Sequence, residues 1–465
     1  MVDRRVVMSG LLAASAGAGL QGCSTARLLS EDEAYALGRE AYRYGFPLIY
    51  FGRMRHLRVG TGDEASGVRQ RVGAWAHLRQ VVTPAVAGAP QTDTLYSRLW
   101  ADLSREPLLL RIPRMDGRYW SIQCCDFFGV TYAMINRRNT TGSVLIALVG
   151  PNWQGRLPSN VSAVHRAAMP WTFQLMRMYF ASEADRGNAI ALQQGFSATP
   201  LSAYGQSEAW QAPLTDVFAP AERASDRLAD FKLLQHMWRE CPPPRADEQE
   251  VARFAAIGLS RDSSMSVEEF PASVKEALAR AEADGLAEIV ATTRNMPGRL
   301  SANGWSLPNS QIGLYGDRDY LYRAAIALLG TVATPISENI YTLLQRDGSG
   351  EMLSGDRRYE LRYDADNMPE ADAFWSLHAY RYTYTVIPNA LNRYSISNRT
   401  QGLRYGDDGS LTVYLQAEDP GGERWANWIP INLPGQPFFL ITRAYEPRGR
   451  MLDLGWPGPR LRQVS

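Results

Sequence analysis

Aromatic and polar side chains are concentrated in the C-terminal part of the chain, in a combination that could bind a sugar. Aromatic rings stack on the C–H patches of sugars, while amide and guanidinium groups bond the hydroxyls. The side chains of this set are Trp375, Tyr380, Arg393, Tyr394, Asn427 and Trp428. Tryptophans in the core of a β-sandwich show the same pattern, so a packing role for Trp375 is the alternative.

His378 is the candidate for acid–base chemistry. It lies in "AFWSLHAY" (373–380), where strand alternation places it opposite Trp375 and beside Ser376 and Tyr380. If that strand face lines a cavity, the imidazole could move a proton near neutral pH. A strand histidine that is only solvated or hydrogen-bonded is the alternative.

Polar residues of the N-terminal half form a second candidate group. Asp93 and Tyr96 stand at the start of a predicted strand, after a loop with Pro and Gly, where they could orient a ligand. The alternative is that Asp93 caps a turn while Tyr96 packs. Arg118 and Asp126 flank "YWSIQCC" and could bind ligand hydroxyls or pair with each other. Asp126 is also a candidate catalytic carboxylate.

Composition and spacing exclude several functions. A formal net charge of +1 over 465 residues gives no basis for a nucleic-acid partner. The five histidines show no HxH or HExxH spacing, and no CxxC is present, so no metal site is predicted. The sequence also lacks a phosphate loop and a dinucleotide fingerprint, and we expect no cofactor.

The N-terminus is typical of an export signal. Arg4-Arg5 precede a mildly apolar run that is too short to span a bilayer, which fits Tat export. Leu20-Gln21-Gly22-Cys23 resembles a bacterial lipobox, although Gln21 is unusual there. We therefore expect a periplasmic or outer-membrane protein that meets the membrane only through a lipid on Cys23.

The pattern of the mature chain changes from helix to strand and back. A helix is predicted to begin at Ser30, with Glu33 completing a capping box, and Pro47 should end or kink it. Strand signals fill about 81–150, with the Asp-Gly of "RMDGRYW" as a hairpin turn. Helical spacing then covers about 221–296, with a second capping box at Ser273 and Glu276.

A last helix is predicted over 319–329 with Gly330 as its cap, and strands fill the rest of the chain. Asp-Gly turns at Asp347 and Asp408 should close hairpins there. Several short alternating strands between turns indicate a sandwich or barrel.

One phrase occurs in both β regions: "RYWSIQCC" at 118–125 and "AFWSLHAY" at 373–380. In each, the Trp shares one strand face with the following aliphatic residue, and the Ser lies on the other face. An Asn-Arg pair follows each phrase near a loop. The two β regions are therefore interpreted as distant copies of one sandwich unit, separated by helices.

The same motifs carry a family resemblance. "TDTLYSRLW", "RMDGRYWSIQCCDFFG" and "GPNW" resemble the bacterial domain of unknown function numbered 1254. "YLYRAAIALLG", "AFWSLHAY", "NRYSISNRTQGLRYG" and "RAYEP" resemble its usual C-terminal companion, numbered 1214. The resemblance implies two jelly-roll-like sandwiches with helices between them, in proteins often exported to the envelope, and no settled reaction. Gln91-Thr92 precede Asp93 where members commonly place Asn.

The sequence thus predicts a mainly β fold with a helical insert (α+β), made of two jelly-roll-like antiparallel β-sandwiches with a helical subdomain between them. Its predicted parts are a signal peptide at 1–23, a helix plus first sandwich at 24–215, a helical insert at 216–330 and a second sandwich at 331–465.

Three functions compete at this point. We favour an envelope lipoprotein that binds a carbohydrate or another small polar ligand. A glycan hydrolase or lyase requires two carboxylates, or His378 with a carboxylate, facing one cavity. A scaffold protein predicts a large apolar surface patch and no deep pocket. A homo-oligomer is compatible with all three.

Overall fold

The structure, a computed structural model, describes residues 29–62, 68–79, 82–86, 88–208, 210–263, 265–294, 296 and 298–464. The predicted signal peptide and Cys23 lie outside these ranges. Helices make up 29% and strands 26% of the fold, in four antiparallel-rich sheets that do not close, which confirms the mainly β class with a helical insert. No helix in the described ranges is long and apolar enough to cross a membrane.

Within the described ranges, seventeen strands form the four sheets. They are β1 (Ala76–Leu78), β2 (Thr94–Asp102), β3 (Leu108–Ile112), β4 (Trp120–Asp126), β5 (Thr131–Asn136), β6 (Val144–Val149), β7 (Ala163–Arg166), β8 (Trp171–Tyr179), β9 (Ser197–Pro200), β10 (Asn339–Leu344), β11 (Arg358–Tyr363), β12 (Ala371–Arg381), β13 (Ser395–Ser397), β14 (Leu411–Gln416), β15 (Trp428–Pro430), β16 (Phe438–Pro447) and β17 (Arg460–Val464).

The sheets pair into two sandwiches of the same design. Sheet A (order β1-β2-β8-β4-β5) packs on sheet B (β7-β6-β3-β9), and sheet C (β10-β16-β12-β13) packs on sheet D (β15-β14-β11-β17). Apart from the additional β1, the strand order of sheets A and B is repeated in C and D. Even the one parallel pair recurs, β6 with β7 and β14 with β15. The shared topology explains why one strand phrase appears twice.

In the part of the chain that the structure describes, seven α-helices accompany the sheets. They are α1 (Glu31–Arg55), α2 (Glu183–Gln194), α3 (Ala229–Glu240), α4 (Glu248–Val251), α5 (Ala272–Arg294), α6 (Tyr320–Gly330) and α7 (Gly449–Leu452). The long N-terminal helix α1 packs against α3, α5 and α6, and this group covers one end of sheet A through a shared apolar core.

The predicted capping box of α1 is confirmed, because Ser30 and Glu33 bond each other's backbone N–H. The second predicted capping box is wrong, because Ser273 lies inside α5 rather than at its start. Helix α1 does not end at Pro47 but continues to Arg55. Gly330 is the last residue of α6, and Thr331 takes the cap position.

The Asp-Gly turns do not join neighbouring strands of one sheet, although the turn at Asp347 is closed by an isolated antiparallel bridge between Arg346 and Met352. The turn at Asp116-Gly117 joins β3 of sheet B to β4 of sheet A, and the turns near Asp347 and Asp408 likewise connect strands of sheets C and D. A two-residue turn specifies a local reversal of the chain, whereas the partner of each strand is chosen by sandwich packing over long distances.

Candidate functional site

Sheets A and C face each other with the sides that point away from their own sandwich cores. Trp120 and Trp375 each point into the core of their own sandwich. Strand alternation then places Ser121 and Ser376 on the opposite faces, and both serines are fully buried. Gln91, just before β2, donates from Nε2 to Ser376 Oγ at 2.9 Å. The contact zone between sheets A and C, called here the A–C interface, is therefore polar as well as tightly packed.

A chain of polar groups crosses this interface. Thr92 Oγ1 lies 2.9 Å from His378 Nε2 and 3.0 Å from Ser395 Oγ. The Ser395 hydroxyl in turn donates to Asp93 Oδ1 at 3.3 Å. Asp93 and His378 are thus linked through two hydroxyls, although they lie in different sandwiches. The second carboxylate oxygen, Asp93 Oδ2, and the second ring nitrogen, His378 Nδ1, are buried without a hydrogen-bond partner.

Burial shifts the pKa values of both groups. Desolvation raises the pKa of Asp93 to about 6, against the opposing effects of Ser395, Arg443 and Thr92. Desolvation, assisted by the charge of Arg443, lowers the pKa of His378 well below its ordinary value. At neutral pH the imidazole is therefore neutral, and Asp93 is a carboxyl group that titrates close to the physiological range.

Two arginines lie within the same interface. Arg177 of β8 is 4% exposed and Arg443 of β16 is 2% exposed. Arg177 donates from Nη1 to Gln123 Oε1 at 3.2 Å. Arg443 donates to Tyr380 Oη at 2.9 Å and to the Ala89 carbonyl at 2.7 Å. The Nε atom of each arginine is buried without a partner.

Tyrosines surround both guanidinium groups. We call this group the arginine–tyrosine cluster, and its members are Arg177, Arg443, Tyr96, Tyr341, Tyr380 and Tyr445. The Arg443 guanidinium lies 4.7 Å from the Tyr341 ring centroid and 5.3 Å from that of Tyr380. Burial acts to raise the pKa of Tyr341, but the charges of Arg177 and Arg443, together with hydrogen bonds to Tyr445 and Arg443, lower it below its ordinary value. The cluster is consequently a strongly positive environment.

The loop before β2 covers the cluster from the side of the first sandwich. The Pro90 carbonyl accepts a bond from Tyr380 Oη at 2.8 Å, next to the Ala89 carbonyl that accepts from Arg443. Ala89 has a positive φ of 48°, a conformation that costs a non-glycine residue about 1–2 kcal/mol. Residues 88–93 therefore form a segment held down on sheet C by polar contacts, which we call the strap.

The structure brings four of the predicted site residues together, namely Asp93, Tyr96, His378 and Tyr380. Trp375 is close in sequence, but it stacks on Tyr363 at 5.2 Å inside the second core. Arg118 and Asp126 do not meet. Arg118 bonds Asp116 and Asp185, and Asp126 accepts bonds from the backbone N–H groups of Phe128 and Val130.

The other predicted residues of the second sandwich form hydrogen bonds within that sandwich. Asn427 holds the Arg404 backbone at both N–H and C=O, and Trp428 Nε1 donates to the Gln416 carbonyl at 2.9 Å. Arg393 donates to the carbonyls of Trp425 and Trp428, and Tyr394 bonds Asn392. These hydrogen bonds hold the loops and strands of the second sandwich together.

Arg177, Arg443 and Tyr341 were not among the residues predicted from the sequence. A signal for the arginines was nevertheless available. Each stands in a strongly apolar strand, in "LMRMY" and "ITRAY", and each is followed two residues later by a tyrosine. Burying the charge of an arginine on a strand costs desolvation free energy. An arginine at the same place in both copies therefore indicates a functional role.

Comparison with known proteins agrees with the predicted pair of domains. Residues 72–200 match the family described as protein of unknown function DUF1254, and residues 338–449 match that described as DUF1214. No curated protein matches the sequence.

A solved structure shows the same fold. The crystal structure of the VPA0106 protein from Vibrio parahaemolyticus matches with a TM-score of 0.70 and 23% identity, covering 93% of this chain and 100% of that chain. An uncharacterised protein from Burkholderia cenocepacia matches with a TM-score of 0.48 and 14% identity, over 94% of this chain and 95% of that chain. The motifs, the fold and the matched ranges together show that this chain contains a DUF1254 domain followed by a DUF1214 domain.

Proposed function

We propose that this chain is an exported lipoprotein that binds a small polar ligand, such as a carbohydrate, between sheets A and C. One observation carries the binding proposal. Several buried polar atoms without a partner lie in the A–C interface, and they include Asp93 Oδ2, His378 Nδ1 and the Nε atoms of Arg177 and Arg443. Because each such atom costs about 1–3 kcal/mol, their proximity at one interface supports a site that a ligand completes.

The chemistry of the cluster suits a small hydroxylated molecule. The hydroxyls of Thr92 and Ser395, the imidazole of His378 and the carboxyl of Asp93 offer both donors and acceptors. Tyr341 and Tyr380 add aromatic faces beside them. The proposal of export and lipid anchoring rests on Arg4-Arg5 and on the lipobox ending at Cys23.

A thermal-shift screen of the purified protein tests the binding proposal. The panel contains neutral sugars, sugar acids, small hydroxy acids and inorganic anions. A ligand that binds only the folded state raises the melting temperature by mass action, by an amount that grows with its concentration. A dose-dependent rise with one class, lost in an Asp93→Ala variant that still folds, is the expected result. No shift with any class would instead favour the scaffold function.

An enzymatic function is the second candidate, because Asp93 and His378 now lie in one polar chain. The pKa of Asp93 near 6 is suitable for a group that both takes up and releases a proton. Chromatography of each ligand after long incubation with the protein separates the two functions. Unchanged ligand indicates a binding protein, and a new product that disappears with His378→Gln indicates an enzyme.

A further inference from the structure

The arginines of the A–C interface fall into two kinds. At its edge, Arg137 and Arg138 come from the loop after β5, and each pairs with a buried carboxylate of the second sandwich. Arg138 bonds Glu338 at 2.6 Å, and Arg137 pairs with Glu446. Charge is therefore balanced at the edge. These pairs fasten the two sandwiches to each other.

In the centre of the interface, charge is not balanced. Within the described ranges, Arg177 and Arg443 have no carboxylate at ion-pair distance, and their hydrogen bonds go to an amide, a phenol and a backbone carbonyl. Both are more deeply buried than the edge arginines. A buried guanidinium without a counter-charge costs several kcal/mol of folding free energy. The edge arginines avoid this cost because each one pairs with a carboxylate, whereas the central arginines do not.

The two central arginines also share their surroundings. Tyr96, Tyr341 and Tyr445 interact electrostatically with both guanidinium groups, so the two positive charges act on one small region. Asp93 is an acidic group at the border of this region, and its Oδ1 is already engaged by Ser395. The region therefore has an excess of positive charge and free N–H donors.

We propose that the ligand of the A–C interface is a small oxyanion, of the carboxylate class, whose charge is bound by Arg177 and Arg443. The inference rests on the proposed function, since it names the chemistry of the ligand at the same site. Guanidinium groups bind carboxylates through paired N–H donors, and here the free Nε atoms supply such donors. The Ala89 carbonyl accepts from Arg443 Nη2 at 2.7 Å, which is the position that an oxygen of a bound carboxylate would occupy beside the same guanidinium.

The polar chain beside the arginines determines what the rest of the ligand carries. Thr92, Ser395, His378 and Asp93 are hydrogen-bonding groups suited to hydroxyls. A molecule with a carboxylate at one end and hydroxyls at the other satisfies both parts of the site. Sugar acids and small hydroxy acids have this composition.

Titration calorimetry on the full-length protein with four probes tests this inference. The probes are D-glucuronate, D-glucose, sulfate and inorganic phosphate, and the variants are Arg177→Gln and Arg443→Gln, with Arg137→Gln as the matched edge control. We expect glucuronate to bind about tenfold or more tightly than glucose. Each central variant should lose that preference, and the edge variant should keep it. Tighter binding of sulfate or phosphate would support an oxyanion site while replacing the carboxylate as its natural group.

Failure of this inference is distinguishable from failure of the proposed function. If glucose binds as tightly as glucuronate and both central variants bind like the wild type, the site binds a neutral ligand and the oxyanion inference is wrong. If no probe binds and the central variants are also as destabilised as the edge variant, the arginines are structural and both proposals fail.

Discussion

Arg177 and Arg443 hold equivalent positions in the two sandwiches. Each lies on an interior strand, directly across from the serine that follows the motif tryptophan, so that Arg177 pairs with Ser121 and Arg443 with Ser376. Because sheets A and C face each other, the duplicated unit brings two copies of one position into the same interface. A site built this way requires both domains, which is a physical reason for the two to occur in one chain.

The first prediction concerns stability. Replacing Arg177 by Met should raise the free energy of unfolding by about 1–2 kcal/mol in the absence of ligand, because it removes a buried charge that has no acidic partner. Among the described residues, the hydrogen bond that this substitution removes is the 3.2 Å bond to Gln123. Urea denaturation of the purified proteins measures the difference, and the same variant should lose glucuronate binding.

The edge arginine Arg137 provides the control. Replacing Arg137 by Met leaves Glu446, which is 2% exposed, with only Arg138 at 3.9 Å, so we expect a loss of about 2–3 kcal/mol. A stability loss of similar size in Arg177→Met would show that the central arginine stabilises the fold and would contradict its assignment to a ligand.

The second prediction concerns pH. The folded-state pKa of Asp93 is raised to about 6, so between about pH 4 and pH 6 the folded protein holds a proton that the unfolded chain has released. The contribution of Asp93 to stability is therefore present at low pH and is lost as pH rises through 6. Relative to Asp93→Asn, the wild type should lose about 2–3 kcal/mol between pH 4 and pH 7, measured by urea denaturation at each pH.

Asp185 provides a control with the opposite sign. Burial acts to raise its pKa, but the Ala181 N–H and Arg118 lower it by more, so the folded-state pKa lies below the ordinary value. Its contribution is present above about pH 4 and is lost as the pH falls further. A parallel pH dependence of Asp93→Asn and Asp185→Asn would show that Asp93 is not the desolvated carboxyl described above.

Local features of the fold could be predicted from the sequence, because they depend on near neighbours. The capping box of Ser30 and Glu33 and the alternation of strands such as β11 are examples, and the buried face of β11 carries Tyr359, Leu361 and Tyr363 as expected. The interface could not be predicted in the same way. Which strand faces meet is decided by packing between domains that are far apart in the chain.

The candidate site shows the same division. The opposite orientations of Trp375 and His378 follow from strand alternation alone. That His378 meets Thr92, 286 positions away in the sequence, follows from the docking of sheets A and C. Arg118 and Asp126 stand at opposite ends of one strand and bond different partners. Arg118 bonds Asp116, whereas Asp126 accepts from the backbone N–H of Phe128.

The third prediction concerns the role of Trp428. Its side chain is 7% exposed and its Nε1 is bonded to Gln416, so Trp428→Ala should cost about 3–5 kcal/mol of stability and leave ligand affinity unchanged in the folded fraction. The nearby Trp425 is 42% exposed, with Arg393 stacked 4.1 Å from its ring, and Trp425→Ala should cost about 1 kcal/mol or less. Selective loss of binding in Trp428→Ala, at full stability, would restore the sugar-stacking role.

The last prediction concerns the export and cellular location of the protein. If Cys23 is the lipidated residue, mass spectrometry of the membrane fraction should find a mature N-terminus at an acylated Cys23, and Cys23→Ala should move the protein to the soluble fraction. Changing Arg4-Arg5 to Lys-Lys should block export, because the twin-arginine route reads that pair, whereas a general secretory signal tolerates either base. Unchanged export of the Lys-Lys variant would therefore assign the protein to the general route. A mature N-terminus at another residue would remove the lipid anchor but would leave the A–C interface and its proposed ligand unaffected, since Cys23 lies outside the described fold.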